Sequence, residues 1–177
     1  MPQPFSRVMR VDALPKEGQT VAIEASPAER EALAAFLKLP SIEALSASLA
    51  LKRSASGGVR VTGAVHGEVT QVCVVSLEPF PATIDEEIDV RFAPRADGGT
   101  ARRPADEPES FSMAGEDEPD PIIDGKIDLG ALAAEFFALG LDPYPRKPGA
   151  SFEPPEEPGA TISPFSALAS PARKKPA

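Results

Sequence analysis

The only cysteine, Cys73, follows the only histidine, His66, by seven residues, and a thiol beside an imidazole is the simplest nucleophilic pair this chain could assemble. That chemistry needs the imidazole within hydrogen-bond reach of the sulfur and a third group to orient it. The local pattern points elsewhere. Cys73 continues into the apolar alternation Cys73, Val75, Leu77 and reads as a small packed hydrophobe. His66, between Val65 and Gly67, reads as an exposed residue at a strand turn, with no second metal ligand at a recognisable spacing. Seven acidic residues fall between Pro104 and Asp120, yet paired acid–base work requires carboxylates held at fixed separations. Gly57-Gly58 and Gly98-Gly99 lack the following Lys-Ser/Thr or helix of a phosphate cradle. The residues therefore point to a protein with no catalytic residues, no cofactor and no metal.

Bulk properties agree with a binding role. At 177 residues the chain holds one ordinary domain plus tails. It carries 21 prolines, about twice the usual share, clustered near the ends and after residue 93, so part of the length is expected outside a packed core. A net charge of −9 argues against a surface that grips nucleic-acid phosphates over its whole extent, and favours a basic protein as electrostatic partner. A lone cysteine suits a reducing compartment, and with no apolar run of about 18 residues and no apolar leader after Met1, the expectation is a cytoplasmic protein without a membrane span.

The elements that would position any contact surface can be read in order. Strand-like stretches Phe5 to Val11 and Thr20 to Ala25 flank a turn at Lys16-Glu17-Gly18. Ser26-Pro27-Ala28-Glu29 then supplies a capping hydroxyl, a proline at the first helical position and a glutamate at the third, so a helix starts there, with Leu33, Phe36 and Leu37 on one face and Pro40 ending it. Leu45, Ala47, Leu49 and Leu51 alternate, Ser54 to Gly58 turns, and Val59, Val61 and Val65 resume: a hairpin. Glu68 to Leu77 is β-rich until Pro79-Phe80-Pro81 breaks it. Ile84, Glu86, Ile88, Val90 and Phe92 then alternate with Asp85, Glu87, Asp89 and Arg91.

Residues 94–121 are acidic and rich in glycine and proline, the composition of a flexible loop. Asp128 caps a second helix whose Leu132, Phe136 and Leu139 share a face, widened by Phe137 and Leu141, and Pro143 stops it. The helix leaves through LDPYPRKPGA, where Tyr144, Arg146 and Lys147 sit among prolines that stiffen the segment. Beyond Phe152 the chain is a proline-rich tail in which Ser163-Pro164 precedes Phe165 and Leu168 at helical spacing, with Arg173-Lys174-Lys175 following. The expected fold is α+β: a mainly antiparallel curved sheet or partial barrel with two helices, an acidic flexible loop and an extended C-terminal tail, residues 1–152 forming one domain and 153–177 the tail.

Two blocks, VTQVCVVSLEPFPATIDEEIDVRF over 69–92 and PDPIIDGKIDLGALAAEFFALGLDPYPRKPGASF over 119–152, resemble the YceD-like family of bacterial and plastid proteins required for accumulation of large-subunit ribosomal RNA. The matching residues are Cys73, Leu77, Glu78, Pro79 and Phe80, then Asp128, Leu129, Glu135, Leu141, Pro143, Arg146 and Lys147, then Pro164, Phe165, Ala167 and Leu168. Where relatives carry a second cysteine in a Cys-x-x-Cys pair this chain has Ser76, so metal binding is not carried over.

The resemblance implies a ribosome biogenesis factor supporting synthesis, processing or stability of the large (23S) rRNA. A large-subunit precursor particle or a basic ribosomal protein is the expected partner, with no DNA and no membrane. Direct rRNA binding through the sheet and the local basic pairs is the alternative, and a Cys73-dependent hydrolase is the third reading. The candidate contact residues are Tyr144, Arg146, Lys147, Phe165 and Leu168.

Overall fold

A computed structural model describes residues 4–54, 57–94 and 119–152. Three long strands dominate it: β3 (Ser41–Arg53), β4 (Val59–Val72) and β5 (Pro79–Pro94), joined as an antiparallel meander. β2 (Gln19–Glu24) adds to β3, and β6 (Asp120–Ile122) lies parallel to β5, giving the order β2-β3-β4-β5-β6. β1 (Val8–Arg10) and β7 (Lys126–Asp128) form a separate antiparallel pair. Among the described residues β2 and β6 remain as separate edges, so the sheet is mixed and open and does not close into a barrel. The class is α+β, as the sequence implies.

The period-2 pattern dictates which face is inside. Along β4, Val59, Val61, Val65, Gly67, Val69 and Gln71 point inward, while Arg60, Ala64, His66 and Glu68 face out. In β3 the inner row switches parity: Ile42 is buried, and so are Leu45, Ala47, Leu49 and Leu51. A bulge between Ile42 and Ala44 inserts the residue that makes both sets inward-facing.

Two helices cover the buried face. α1 (Pro27–Leu37) opens with the expected capping box, Ser26 and Glu29 each satisfying the other's main-chain donor, and packs against β3. It ends at Lys38, held in the left-handed conformation at φ 58°. α2 (Leu129–Leu139) is capped by Asp128, whose carboxylate accepts from the amides of Gly130 and Ala131 at 3.0 and 3.1 Å, and packs on β4 and β5. Phe137, fully buried, lies over Gly67: a Cβ there would come within 2.4 Å of its ring, so only glycine fits at this crossing.

Six details differ from the sequence reading. Of the N-terminal stretch Phe5 to Val11 only Val8–Arg10 is strand, and it pairs with β7 while β2 pairs with β3. His66 is not at a turn; it is mid-strand in β4, opposite Ser46 and Asp85. Pro79-Phe80-Pro81 opens β5 instead of only breaking the chain, at the end of the strand where a missing donor is best tolerated. On α1 the buried positions are Leu33 and Ala34, leaving Phe36 62% exposed, because the sheet meets the helix one position around from the expected stripe. On α2 they are Leu129, Leu132, Ala133, Ala134 and Phe137, with Leu139 exposed. Residues 120–121, expected in the acidic loop, open β6 and Pro94 closes β5; residues 95–118 of that loop and the tail beyond 152 lie outside the described residues.

Arg7 joins the two helix starts. Its guanidinium meets Glu29 in two bonds of 2.6 and 2.9 Å, and its amide donates to Asp128 at 2.7 Å. Bonds from the Arg7 guanidinium and from the Ser26 amide hold the Glu29 carboxyl down at about 2. A carboxylate with its folded value below its ordinary 4.5 stabilises the fold above that ordinary value and loses the contribution as pH falls toward about 2. Glu29→Ala should therefore cost about 1 kcal/mol at neutral pH, the typical worth of a cap. In denaturant titrations its deficit against the parent should shrink steadily as pH is lowered below the ordinary carboxylate range.

The Cys73 turn and the helix exit form one candidate contact site

The inner row of β4 ends at Cys73, which is wholly buried, and the chain reverses immediately after it. The Cys73 amide donates to the Glu78 carbonyl and the Leu77 amide to the Cys73 carbonyl, both at 2.9 Å. Inside this turn the amides of Val75 and Ser76 both point at the Cys73 sulfur, at 3.4 Å each. The expected alternation through Val75 and Leu77 thus stops at Cys73: Val75 is half-buried and Leu77 is 77% exposed. Leu77 also sits at φ 59°, a left-handed backbone that costs a side-chain-bearing residue roughly 1–2 kcal/mol. The turn holds a leucine in water at that cost.

The exit from α2 is built onto this turn. Asp142 accepts from the Tyr144 amide at 2.8 Å, a local turn that aims the following prolines, and its carbonyl receives the side chain of buried Gln71 at 3.4 Å. The Val74 amide donates to the Pro145 carbonyl at 2.9 Å, and the Lys147 ammonium pairs with Glu78 at 2.8 Å. The Cys73 thiol is drawn down to about 6, first by the Ser76 hydroxyl, then by the main-chain amides of Ser76 and Lys147, against the opposing effect of burial. The turn is therefore wound on the sulfur by the Val75 and Ser76 amides and joined to the exit segment by the Val74–Pro145 and Lys147–Glu78 bonds.

Of the residues expected to meet a partner, three are placed here. Tyr144 is 73% exposed. Arg146 and Lys147 are also exposed, but they are not equivalent. Lys147 is engaged by Glu78, whereas Arg146 has no hydrogen-bonded or charged partner among the described residues. Phe165 and Leu168 lie outside the described residues. Sequence reasoning missed the aliphatic component: Val72, Val74 and Leu77 are all exposed on or beside the same turn, next to the main-chain bond that brings in Pro145. Their signal was present in valines on both faces of the stretch, which an alternating strand buried on one side does not require.

The thiol–imidazole pair is not assembled. His66 projects to the outer face and binds Asp85 at 2.6 Å, and the strand between it and Cys73 spans about 20 Å. Among the described residues no three His, Cys, Asp or Glu side chains gather as a metal site, and no helix is long and apolar enough to cross a membrane.

The molecule is thus an open meander covered on one face by two helices, with exposed apolar and basic side chains at the Cys73 turn and the helix exit. The family model for the large ribosomal RNA subunit accumulation protein YceD matches residues 61–169, more than half of the chain, and the chain belongs to that family. The match contains both halves of the site, the Cys73 turn and the exit segment. Searches of curated proteins and of solved structures give no match.

The thiol offers a direct check on this geometry. Thiolate absorbance near 240 nm should titrate with a midpoint at about 6 instead of the ordinary 9. Because the folded value is the lower one, the sulfur stabilises the fold fully above about 9 and loses that contribution as pH falls through about 6. Cys73→Ala should accordingly cost more stability at pH above the midpoint than below it.

Proposed function

We propose that this chain supports accumulation of the large (23S) ribosomal RNA without catalysis, by docking on a basic ribosomal protein or a large-subunit precursor particle through the surface formed by the Cys73 turn and the helix exit. Membership of a family named for large ribosomal RNA subunit accumulation supports the process. The observation that carries the surface is the exposed set Val72, Val74, Leu77 and Tyr144, fixed around a buried sulfur and edged by Arg146. Large apolar side chains held in water on one ordered turn point to a contact site, and a segment already pinned at several points has little ordering left to lose on binding.

The chemistry favours a protein surface over RNA. Aliphatic side chains offer no ring to stack on bases, and the turn and exit segment expose only Tyr144 and Phe152 as aromatics among the described residues. On the outer face of the sheet, β5 presents Asp85, Glu87 and Asp89, with Asp85 bound by His66, Asp89 paired with Arg60 and Arg91 on the same row, so this face is of mixed charge and offers no continuous basic track for phosphates. Direct rRNA binding draws support from Arg146, and the two readings separate experimentally.

Tagged protein recovered from lysate should retain a ribosomal protein or precursor particle after RNase treatment, and Leu77→Ser with Tyr144→Ala should abolish that recovery without changing the melting temperature. Recovery of rRNA alone, lost on RNase treatment, would overturn the protein-contact reading in favour of direct RNA binding.

A further inference from the structure

A second surface lies on the other side of the molecule from the outer sheet face, between the two helices. Leu33, Leu132 and Phe92 line an open groove of about 360 Å³, with Phe36 from α1 and Ala138 from α2 also on its walls. Phe36 is 62% exposed, although Leu33 on the same stretch of helix is packed. Asp120 and Glu135 also line the groove, and both are exposed acids. The groove is thus apolar within and negative at its margin. It is independent of the surface assigned above.

We propose that this groove is the seat of the chain's own C-terminal segment around Phe165 and Leu168. Three observations select that occupant. The segment has the complementary pattern: Phe165, Leu168 and Ala169 recur at the i, i+3, i+4 spacing with which a helix enters a groove. Its charge is complementary too, since Arg173, Lys174 and Lys175 follow it and the groove is lined by acids. The tether is also substantial: residues 153–162 reach up to roughly 33 Å from Phe152 when extended. A tether of this kind presents the segment at an effective concentration on the order of millimolar, which a second copy or a cellular partner does not match.

Seating Phe165 and Leu168 beside Phe36 removes three large apolar side chains from water at one place. It also sets the acidic lining against the cationic end of the tail. The tail then belongs to the fold, and a partner that needs Phe165 or Leu168 has to displace it.

The test uses the full chain with the photocrosslinker p-benzoylphenylalanine in place of Phe165. Irradiation should give a crosslink to α1 or α2 residues of the groove, within one molecule and with a yield independent of protein concentration. Raising the salt should lower that yield. Phe36→Glu and Ala138→Glu should each remove most of the crosslink, with the melting temperature serving as control for the fold. Crosslinks only between copies, crosslinks only outside the two helices, an unchanged yield in both groove variants, or no crosslink at all would overturn the proposal.

Discussion

A sheet that alternates apolar and polar residues must have its apolar face covered, and in this chain the demand comes from three long strands at once. Their register is fixed by the alternation, because a slip of one residue would turn every valine of β4 outward. The remaining elements answer to that surface. α1 covers β3, and α2 crosses β4 at the single position where Gly67 lets a phenylalanine ring approach the backbone. The N-terminal strand does not join the sheet; it pairs with β7 and ties the two helix starts together through Arg7, Glu29 and Asp128.

The same alternation produces the contact surface. The inner row of β4 carries a cysteine to the end of the strand, and where the row runs out the sulfur becomes the acceptor around which the turn winds. The exit segment is fastened to the same turn by the Val74 amide on the Pro145 carbonyl and by Lys147 on Glu78. Valine and leucine side chains that the core cannot receive are then left outside on a rigid frame, beside Tyr144 and Arg146. Exposure of those side chains is thus a consequence of how the strand ends, and the left-handed Leu77 is the clearest sign that the fold accepts a local cost to keep it.

Much of this was legible in the sequence. The Ser26 and Asp128 caps, the β3–β4 hairpin and the charged outer edge of β5 rest on local chemistry, and local chemistry decided them. What the sequence did not reveal depends on contacts distant along the chain. Nothing near Val8 announces a partner at Asp128, and nothing near Phe36 shows that the sheet meets α1 one position away. For the site, Tyr144, Arg146 and Lys147 could be singled out from composition, but the Cys73 turn that holds them is separated from them by some seventy residues, as in the Lys147–Glu78 pair. His66 was misplaced for a related reason: a following glycine suggested a turn, whereas that glycine is the seat for Phe137.

The central claim is that the exit segment is a fixed part of the fold, clamped on the Cys73 turn. The Val74 amide reports on it directly, since its acceptor is the Pro145 carbonyl of that segment. Native-state hydrogen exchange should find this amide protected, opening with the denaturant dependence of the global unfolding reaction. Exchange at the rate of an unstructured peptide, while the core amides of β4 stay protected, would contradict the account.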